Sequence, residues 1–367
     1  MPTELRRLDS LLPADVAAWR TLAATAAEPN PFFEPDFVLP AHRHLGGVGV
    51  GLLVAREGDR WTACVPVQRR VRPVNAGARL GRLPGPCLVA WLHTHCFLGT
   101  PLLAREDPQG AAMALVGALA HRRRAGWLGF PTVGQDGPVA PALSAAFAAH
   151  GLTELTYERA ERAMLHRREP GDYLAGLSSK RRRELARQRK ALARELGAEL
   201  EVHDRAEDPA AVERFLDLEH NGWKGREGTS FAAIPGQADF VRELCRGFRE
   251  QGRLQLLELS AGSRVVAMKC NLRSGDGVFC FKIAFAEDVG RHSPGIQLEV
   301  DNVAAFHAGP AAFTDSCAAP DNEMINRLWP DRRTVATTLV PTRGALGAVA
   351  RRALPATISI RERIGGP

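Results

Sequence analysis

The sequence lacks the features that mark membrane-spanning, secreted and disulfide-stabilised proteins. No apolar run approaches the roughly 20 residues of a membrane-spanning helix, and the charged N-terminus, MPTELRRLD, is unlike a secretion signal. The seven cysteines are odd in number and include no CxxC pair, which favours free thiols over a disulfide framework. We therefore expect a cytoplasmic protein without a membrane span.

The length and the composition of the chain indicate a globular protein of more than one domain. The 367 residues are enough for two domains of ordinary size. The apolar fraction of 45% and the charged fraction of 24% are typical of globular proteins. The net charge of +7 suggests an anionic partner but does not identify its class.

Residues 277–307 combine a strand, a loop of small residues and a helix. The strand alternates over residues 278–286, which predicts one face with Phe279, Phe281, Ile283 and Phe285 and another with Cys280, Lys282, Ala284 and Ala286. A lysine in so apolar a strand must be paired or must face a cleft.

The loop GRHSPG, residues 290–295, contains the signals that begin a helix. Ser293 is a good N-cap residue, and Gly295 lets a ligand approach the backbone closely. Unpaired backbone N–H groups and the positive end of the helix dipole bind anions at such a turn. Arg291 and His292 add positive charge. An ordinary strand–turn–helix connection has the same pattern, so both interpretations stay open.

Two similar successions of elements predict a mixed α/β fold with two lobes. The first contains helices at 13–27 and 38–44, a hairpin at 48–55 and 61–67, a strand at 91–103, a helix at 111–125, a strand at 127–131, a helix at 140–150 and a strand at 152–158. The second contains helices at 173–196, 209–223 and 237–251, a hairpin at 254–260 and 264–273, the strand and helix described above, strands at 312–317 and 334–340, and a short helix at 323–329. We predict lobes at 1–165 and 166–345 and a C-terminal tail at 346–367.

Several segments carry a resemblance to a known family when they are taken together. They are NPFFEPDF, HTHCFLGTPLL, LSSKRRRELARQRKAL, LEHNGWKGREGTSF, FKIAFAEDVGRHSPGIQLE and DSCAAPDNEMINRLWPDRR. In combination they resemble the CelD/BcsL-type acetyltransferases of the GNAT superfamily, which are related to the FemXAB peptidyltransferases. The resemblance implies tandem GNAT-like lobes, an acyl-CoA donor bound on the second lobe, and transfer of the acyl group to a primary amine.

The resemblance also implies where the donor binds. The GNAT pyrophosphate loop is written Q/R-x-x-G-x-G/A, and here Gly290 stands at the Gln or Arg position and Ser293 at the first glycine. The backbone around Ile283–Phe285 would stabilise the developing oxyanion. The expected donor-binding residues are Ile283, Ala284, Phe285, Gly290, Arg291, His292, Ser293, Gly295 and Ile296.

Glu219 is the first candidate for the general base that the attacking ammonium requires. In VERFLDLEHNGW it shares the apolar helix face with Phe215 and Trp223. Burial raises the pKa of a carboxyl group towards the range that a general base needs. A structural salt bridge of Glu219, to Lys224, Arg226 or Lys282, explains the same pattern.

Other candidate catalytic residues follow the predicted strand at 312–317. Asp315 is a second candidate base, and Cys317 or Ser316 could protonate the departing thiolate. Lys282 would pair with a carboxylate or contact the phosphates of the donor. GNAT enzymes often use a tyrosine as the acid, but no tyrosine follows Tyr173. A covalent route through Cys317 is chemically allowed, although a lone cysteine is usually only a small buried residue.

Histidines and neighbours of the candidate base are expected to line the acceptor site. His220, Trp223 and Lys224 surround the GWKG segment, and His93 and His95 lie on one face of the predicted strand at 91–103. The spacing of possible ligands does not form a zinc site, so we expect substrate-lining or structural histidines and no metal.

Three functions from different classes are consistent with the sequence. The first is an acyl-CoA-dependent N-acyltransferase that acts on a small molecule, an amino sugar or a peptide. The second is a Fem-like transferase that uses aminoacyl-tRNA, which would explain the basic run at 178–194. That run also fits a solvated helix face, and without aromatic residues it makes a poor stacking surface for nucleic acid. The third is a non-catalytic binding module.

Overall fold

The computed structural model describes residues 1–70, 74–75, 82–83, 86–120, 125–169, 173 and 176–352. The chain divides into two compact units. Unit 1 comprises Met1–His42, Gly46–Glu161 and Arg333–Pro367, and unit 2 comprises Arg43–Leu45 and Arg162–Arg332. Within the described residues, no helix has both the length and the apolar character that crossing a membrane requires.

The helices and strands follow one another along the chain as the sequence analysis largely predicts. The helices are α1 (Pro13–Ala24), α2 (Pro35–His44), α3 (Pro108–Ala120), α4 (Val139–Ala149), α5 (Ser179–Leu196), α6 (Ala210–His220), α7 (Trp223–Arg226), α8 (Gln237–Glu250), α9 (Pro294–Ala308) and α10 (Glu323–Asn326). The strands are β1 (Thr3–Arg7), β2 (Val50–Glu57), β3 (Arg60–Arg70), β4 (Val74–Asn75), β5 (Arg82–Leu83), β6 (Cys87–Ala90), β7 (Leu102–Leu103), β8 (Trp127–Gly134), β9 (Leu155–His166), β10 (Leu200–Asp204), β11 (Leu254–Ala261), β12 (Arg264–Ser274), β13 (Gly277–Phe285), β14 (Phe313–Asp315) and β15 (Asp331–Pro341).

Unit 1 is built on a mixed sheet with the strand order β1-β2-β3-β6-β8-β15-β9. Strands β6 and β8 pair in parallel, whereas β2 and β3 form the predicted antiparallel hairpin. Helices α1 and α3 contact β3. The core contains large aromatic side chains that are almost fully buried, namely Trp19, Phe32, Phe33, Phe37, Trp127 and Phe147.

In unit 2 the strands follow the order β9-β14-β13-β12-β11-β10, where β9 contributes its residues from Arg162 onward. Strand β14 pairs in parallel with β13, and the remaining neighbours are antiparallel. Helices α5 and α9 contact each other, and α9 packs on β11, β12 and β13, while α6 packs on β12 and β13 and α8 on β11. Each unit is thus a mixed sheet flanked by helices, which confirms the predicted mixed α/β fold class.

Local sequence signals explain the boundaries of the basic helix α5. The Ser178 hydroxyl accepts a hydrogen bond from the Arg181 backbone N–H at 3.2 Å, and Gly197 ends the helix in the left-handed region with φ 69°. Leu185 and Leu192 are buried. The apolar stripe therefore faces the protein, and most of the arginines and lysines lie on the exposed side. Arg189 is an exception, because it pairs with Asp301 of α9 at 2.7 Å.

Several predicted elements differ from the structure. The predicted strand at 91–103 is wrong, because only Leu102–Leu103 is a strand and the preceding residues form a turn and extended segments. Strands β1 and β10 were not predicted. From Arg333 onward β15 lies in unit 1 and not with the second lobe, since it pairs with β8.

Parts of three predicted segments lie outside the described residues. These parts are 121–124 of the helix at 111–125, 174–175 of the helix at 173–196, and 353–367 of the C-terminal tail. In the described part of the tail, Ala350 packs in a buried cluster that also contains Val89 and Trp127.

A bulge in the pairing of β12 with β13 changes the predicted faces of β13. Cys270 pairs with Lys282 and the next residue, Asn271, pairs with Cys280, so the register skips Phe281. A bulge of this kind re-aims the side chains that follow it. The simple alternation that placed Cys280 and Lys282 on one face is therefore wrong.

Side-chain contacts show where the two faces of β13 point. The Phe281 ring stacks with Phe231 at a centroid distance of 6.2 Å, and the Lys282 Nζ lies 5.5 Å from the same Phe231 ring. Cys280, by contrast, lies near Thr314, with 3.9 Å between Sγ and Oγ1. The bulge thus turns Lys282 to the side of Phe231.

A buried polar network joins the sheet of unit 2 to α9. The Lys269 ammonium donates to Glu299 Oε2 at 2.7 Å, and the Asn302 amide donates to Glu299 Oε1 at 3.0 Å. The Asn271 amide in turn donates to Asn302 Oδ1 at 2.7 Å. All of these side chains are at most 4% exposed. Because the charges compensate each other in the interior, the network holds α9 against β12.

Removal of one partner tests the importance of this network. Glu299→Ala leaves the Lys269 ammonium buried without its carboxylate, and we expect the free energy of unfolding to fall by about 3–5 kcal/mol. Urea unfolding measures this change. Glu323→Ala is the matched control, because its ion pair with Arg327 is exposed and should contribute at most about 1 kcal/mol. Equal effects of the two substitutions would contradict the account.

Candidate functional site

The end of β13 and the turn after α6 enclose a small cleft in unit 2. Its volume is about 30 Å³, and its lining comprises Leu218, Glu219, Gly222, Trp223, Lys224, Ile283, Ala284, Phe285 and Glu287. The cleft brings together two segments that lie about sixty residues apart in the sequence. Both segments contain residues that the sequence analysis named.

Strand β13 continues beyond the point where β14 stops pairing with it. The parallel register runs from Gly277↔Phe313 to Phe279↔Asp315, whereas β13 extends to Phe285. On its other side, β13 stays paired with β12 through Phe285. The last residues of β13 therefore lie beyond the end of β14, and a ligand with amide groups can pair with a strand in this situation.

The N-terminus of α9 lies against the same end of β13. A Cβ atom on Gly295 would lie 3.3 Å from Phe285 Cδ1 and 3.7 Å from Ile283 Cδ1. The first backbone N–H groups of an α-helix have no partner within the helix, and the positive end of the dipole lies there. The helix terminus and the strand end thus form one continuous surface.

Ser293 occupies the N-cap position, but its side chain does not cap the helix. Its backbone has φ 53° and ψ 54°, in the left-handed region, and no hydrogen bond from the helix reaches its hydroxyl. The Ser293 carbonyl instead accepts from the N–H groups of Ile296 at 2.9 Å and Gln297 at 3.1 Å. The predicted capping by the Ser293 hydroxyl is therefore wrong.

The two cationic residues of the loop share one carboxylate. Arg291 Nη2 lies 2.6 Å from Glu195 Oε2, and the His292 ring contacts the same oxygen. A Cβ atom on the neighbouring Gly290 would meet no atom within 4 Å. The positive charge that the sequence analysis expected at this turn is thus partly balanced by α5.

Glu219 is buried and both of its carboxylate oxygens accept hydrogen bonds. The Lys224 ammonium donates to Oε1 at 2.6 Å, and the Phe231 backbone N–H donates to Oε2 at 2.8 Å. Of the alternatives left open by the sequence, the salt bridge to Lys224 is present. These contacts hold Glu219 in place, and its role as a base stays a prediction.

The short helix α7, which follows the turn after α6, requires glycine at one position. A Cβ atom on Gly225 would lie 1.7 Å from the His220 carbonyl oxygen. His220 Nδ1 lies 2.9 Å from Ser230 Oγ, and the Trp223 side chain is 46% exposed. The GWKG segment therefore forms a compact turn that presents the Trp223 ring beside the cleft.

Glu287 is a residue of the cleft that the sequence analysis did not identify. Its carboxylate accepts from the Trp223 backbone N–H and from Arg226. The Arg226 charge lowers the pKa of Glu287, chiefly through this hydrogen bond. The sequence gives only a weak signal for it, an acidic residue directly after the central strand.

Lys282 lies beside the cleft in an apolar environment. Its Nζ is 5.5 Å from the centre of the Phe231 ring and 5.9 Å from that of Phe281. Burial, together with the smaller effect of the Lys224 charge, lowers the pKa of Lys282 to about 8, and Glu219 opposes the shift. The pKa of Lys282 therefore lies closer to neutral pH than that of an exposed lysine.

Asp315 is held in a buried ion pair at the end of β14. Arg162 Nη2 donates to Oδ2 at 2.6 Å, and the Cys317 backbone N–H donates to Oδ1 at 2.9 Å. Cys317 has φ 53° and is 9% exposed. These contacts fix the chain where it leaves β14, and the catalytic roles of Asp315 and Cys317 stay predictions.

His93 and His95 belong to unit 1 and are not strand residues. The His95 backbone N–H donates to His93 Nδ1 at 3.3 Å, and the His93 ring stacks on Phe37 at 5.5 Å. Burial lowers the pKa of His93 to about 3, and His95 acts in the same direction. Their predicted position on one strand face is wrong, because the chain turns at these residues. In the part of the chain that the structure describes, no three His, Cys, Asp or Glu side chains are grouped to hold a metal ion.

Comparison with solved structures finds similar folds at low sequence identity. FemX is 8% identical with a TM-score of 0.59, and the alignment covers 93% of this chain and 97% of that one. The C-terminal domain (DUF2156) of a putative lysylphosphatidylglycerol synthetase from Agrobacterium fabrum is 14% identical with a TM-score of 0.55, and covers 93% and 96%. A conserved protein of unknown function from Bacteroides thetaiotaomicron is 10% identical with a TM-score of 0.53, and covers 89% and 97%.

The family comparison concerns the part of the chain that contains the cleft. No curated protein matches the sequence. Residues 179–314 match the family model of the acetyltransferase (GNAT) domain, and this range includes α6, β13 and the whole of α9. The cleft between β13 and the turn after α6 thus lies within the segment that is similar to the GNAT acetyltransferase domain.

Proposed function

We propose that the protein is an acyl-CoA-dependent N-acyltransferase whose donor binds at the cleft of unit 2. The observation that carries this proposal is the contact between the end of β13 and the N-terminus of α9. The strand offers backbone groups beyond the end of β14. At the helix start, Pro294 has no N–H and the Ile296 and Gln297 N–H groups donate to the Ser293 carbonyl, so the Gly295 N–H and the positive end of the dipole are available to an anion. An acyl-CoA has both complementary parts, amide groups in its pantetheine arm and a pyrophosphate.

The donor site uses the residues that the GNAT resemblance implies. The pyrophosphate binds at residues 290–296, and the thioester lies along Ile283–Phe285, whose backbone stabilises the oxyanion. Because Glu195 partly balances the charges of Arg291 and His292, the Gly295 N–H and the positive end of the helix dipole are the main attraction for the anion. We also propose that the protein is an acetyltransferase of the CelD/BcsL type.

The amine acceptor attacks the thioester carbonyl directly. A carbon–nitrogen bond forms, the carbon–sulfur bond breaks, and the CoA thiolate leaves. Because a thiol has a pKa of about 8.5, this departure does not need a strong acid. Tyr173 is not required, and its hydroxyl donates to the Leu328 carbonyl at 2.7 Å.

Lys282 accepts the proton that the attacking amine loses. A general base works best when its pKa is near the working pH, and the pKa of Lys282 is about 8. Glu219 and Lys224 position the wall of the cleft beside it. The acceptor is a primary amine of a small molecule, an amino sugar or a peptide, and Trp223, His220 and Glu287 lie where it would enter.

A second candidate function rests on the exposed face of α5. Its basic side chains at the surface include Lys180, Arg182, Arg183, Arg187, Lys190 and Arg194. Such a face suits the phosphates of an aminoacyl-tRNA, as a Fem-like transferase requires. Binding of charged tRNA in the absence of any CoA binding would favour this candidate.

Substitution of Gly295 tests the donor site. Calorimetry should detect binding of acetyl-CoA, a longer acyl-CoA or free CoA to the native protein. Gly295→Asp places a carboxylate where the pyrophosphate binds, and we expect it to weaken binding by roughly 100-fold through like-charge repulsion. Gly295→Ala adds only a methyl group and should weaken binding less.

The control adds the same charge to the same helix. Ala304 is exposed on α9, so Ala304→Asp should bind the donor like the native protein. An equal loss in both aspartate variants would contradict a local pyrophosphate site. Absence of binding by every CoA species would exclude the acyl-CoA proposal.

The pH dependence of turnover tests the role of Lys282. Only the neutral amine accepts a proton, so kcat/KM should rise with pH and level off above the pKa of about 8. Lys282→Met should lower kcat by about 10²–10⁴-fold and remove this part of the profile. Lys190→Met, on the exposed face of α5, is the control. If Lys282→Met leaves the pH profile unchanged, the rise of kcat/KM with pH reflects deprotonation of the acceptor amine. That result would contradict the role of Lys282.

A further inference from the structure

Unit 1 contains a separate and larger cavity beside a glycine-rich loop. The segment GGVGVG, residues 46–51, comprises the end of the connection from α2 and the first two residues of β2. Gly46 and Gly49 have φ values of 77° and 74°, a region that glycine adopts without strain. A Cβ atom on either glycine would meet no atom within 4 Å. The loop thus presents bare backbone to the cavity.

The size of the cavity matches that of a small-molecule site. Its volume is about 570 Å³, within the roughly 300–1,000 Å³ of typical ligand pockets. The volume exceeds that of the cleft in unit 2, and none of its lining belongs to the proposed acyltransfer site. A ligand here is therefore independent of the proposed function.

The floor of the cavity is one face of the unit 1 sheet. Arg7 pairs with Gly51, and Gly51 pairs with Val67, so the three residues form a row across β1, β2 and β3. In the next row Arg69 pairs with Leu88. The Leu5 side chain packs over Gly51, where a Cβ atom would lie 2.9 Å from Leu5 Cδ1, so Leu5 forms part of the apolar wall of the cavity.

The lining combines positive charge with apolar surface. The lining contains Arg6, Arg7 and Arg69 and one carboxylate, that of Asp9. Arg6 is paired with Asp15 outside the lining, so Arg7 and Arg69 are the arginines that an anion in the cavity would meet. Asp9 is already engaged, with Oδ1 at 2.9 Å from His42 Nε2 and Oδ2 at 3.8 Å from Arg7 Nη2. The cavity therefore has an excess of positive charge that an anionic ligand group would balance.

Apolar side chains extend from this charged region to the surface. Val67 and Leu88 lie on the floor, Leu5 is 45% exposed, and Val48 of the glycine-rich loop is 84% exposed. Exposed apolar residues that adjoin a cavity are typical of ligand-binding surfaces. The geometry suits a ligand whose apolar chain covers these residues while its anionic end lies between the arginines.

We propose that this cavity binds an amphipathic phosphate, an alkyl chain that ends in a phosphate group, with Arg7 and Arg69 as the phosphate ligands. Arginine fits this role because its planar guanidinium donates two parallel hydrogen bonds to phosphate oxygens. The same chemistry occurs in the headgroup of an acidic membrane lipid and in a soluble alkyl phosphate.

Calorimetry on the full chain with dodecyl phosphate, below its micelle concentration, tests the proposal. We expect binding that the double variant Arg7→Ala/Arg69→Ala weakens by roughly ten-fold or more. Arg60→Ala is the control, because Arg60 lies at the β2–β3 turn of the same unit outside the cavity.

Two further ligands make the result specific. Inorganic phosphate should bind much more weakly than dodecyl phosphate, and dodecyltrimethylammonium should not bind at the site. Equal affinity of the double variant and the native protein for dodecyl phosphate, or equal binding of the cationic amphiphile, would overturn the proposal. Unchanged acyltransfer by the double variant, together with an unchanged thermal midpoint, shows that the fold is intact.

Vesicle sedimentation distinguishes the two sources of the ligand. Phosphatidylcholine vesicles with and without phosphatidylglycerol are compared for the native protein and the double variant. Retention that requires both phosphatidylglycerol and the two arginines identifies a membrane lipid. Binding of dodecyl phosphate without vesicle retention identifies a soluble alkyl phosphate.

Discussion

The proposed donor site depends on the early end of the pairing between β14 and β13. Strand β14 is three residues long and its pairing stops at Asp315. The buried ion pair with Arg162 and the hydrogen bond from the Cys317 N–H hold the chain at this point. Because β13 continues to Phe285, its last residues are available to a ligand beside the helix terminus.

Buried charge has two separate structural roles in unit 2. The Asp315–Arg162 pair fixes the position where β14 ends, and the Lys269–Glu299 pair fixes α9 on the sheet. Such pairs are costly to bury and stabilise a fold only when their hydrogen bonds are complete. One pair lies on each strand beside β13. Together they hold the end of β13 and the start of α9 in fixed positions, which explains why the fold contains them.

Local patterns predicted the elements around the cleft, because those patterns act over a few residues. The hairpin of β11 and β12 follows from alternation around the turn AGS, and α9 follows from the GRHSPG loop. Glu219 was recognised because it shares the apolar face of its helix. The salt bridge to Lys224 was among the alternatives, since Lys224 is only five residues away.

Features that depend on distant residues could not be predicted in this way. The bulge at Phe281 depends on the register with β12, and it moved Lys282 to the opposite face from the one that alternation predicted. Arg162 and Asp315 are 153 residues apart, so no local pattern pairs them. The segment at 91–103 is apolar because it is buried in unit 1, which periodicity alone cannot distinguish from a strand.

The central claim is that the end of β13 and the start of α9 bind the donor together. Hydrogen–deuterium exchange with and without acetyl-CoA tests this claim most directly, because it reports on backbone N–H groups. The account predicts slower exchange in peptides that cover 283–286 and 294–298, and unchanged exchange in the hairpin of β2 and β3. Unchanged exchange in both unit 2 segments at saturating acetyl-CoA, or protection confined to unit 1, would contradict it.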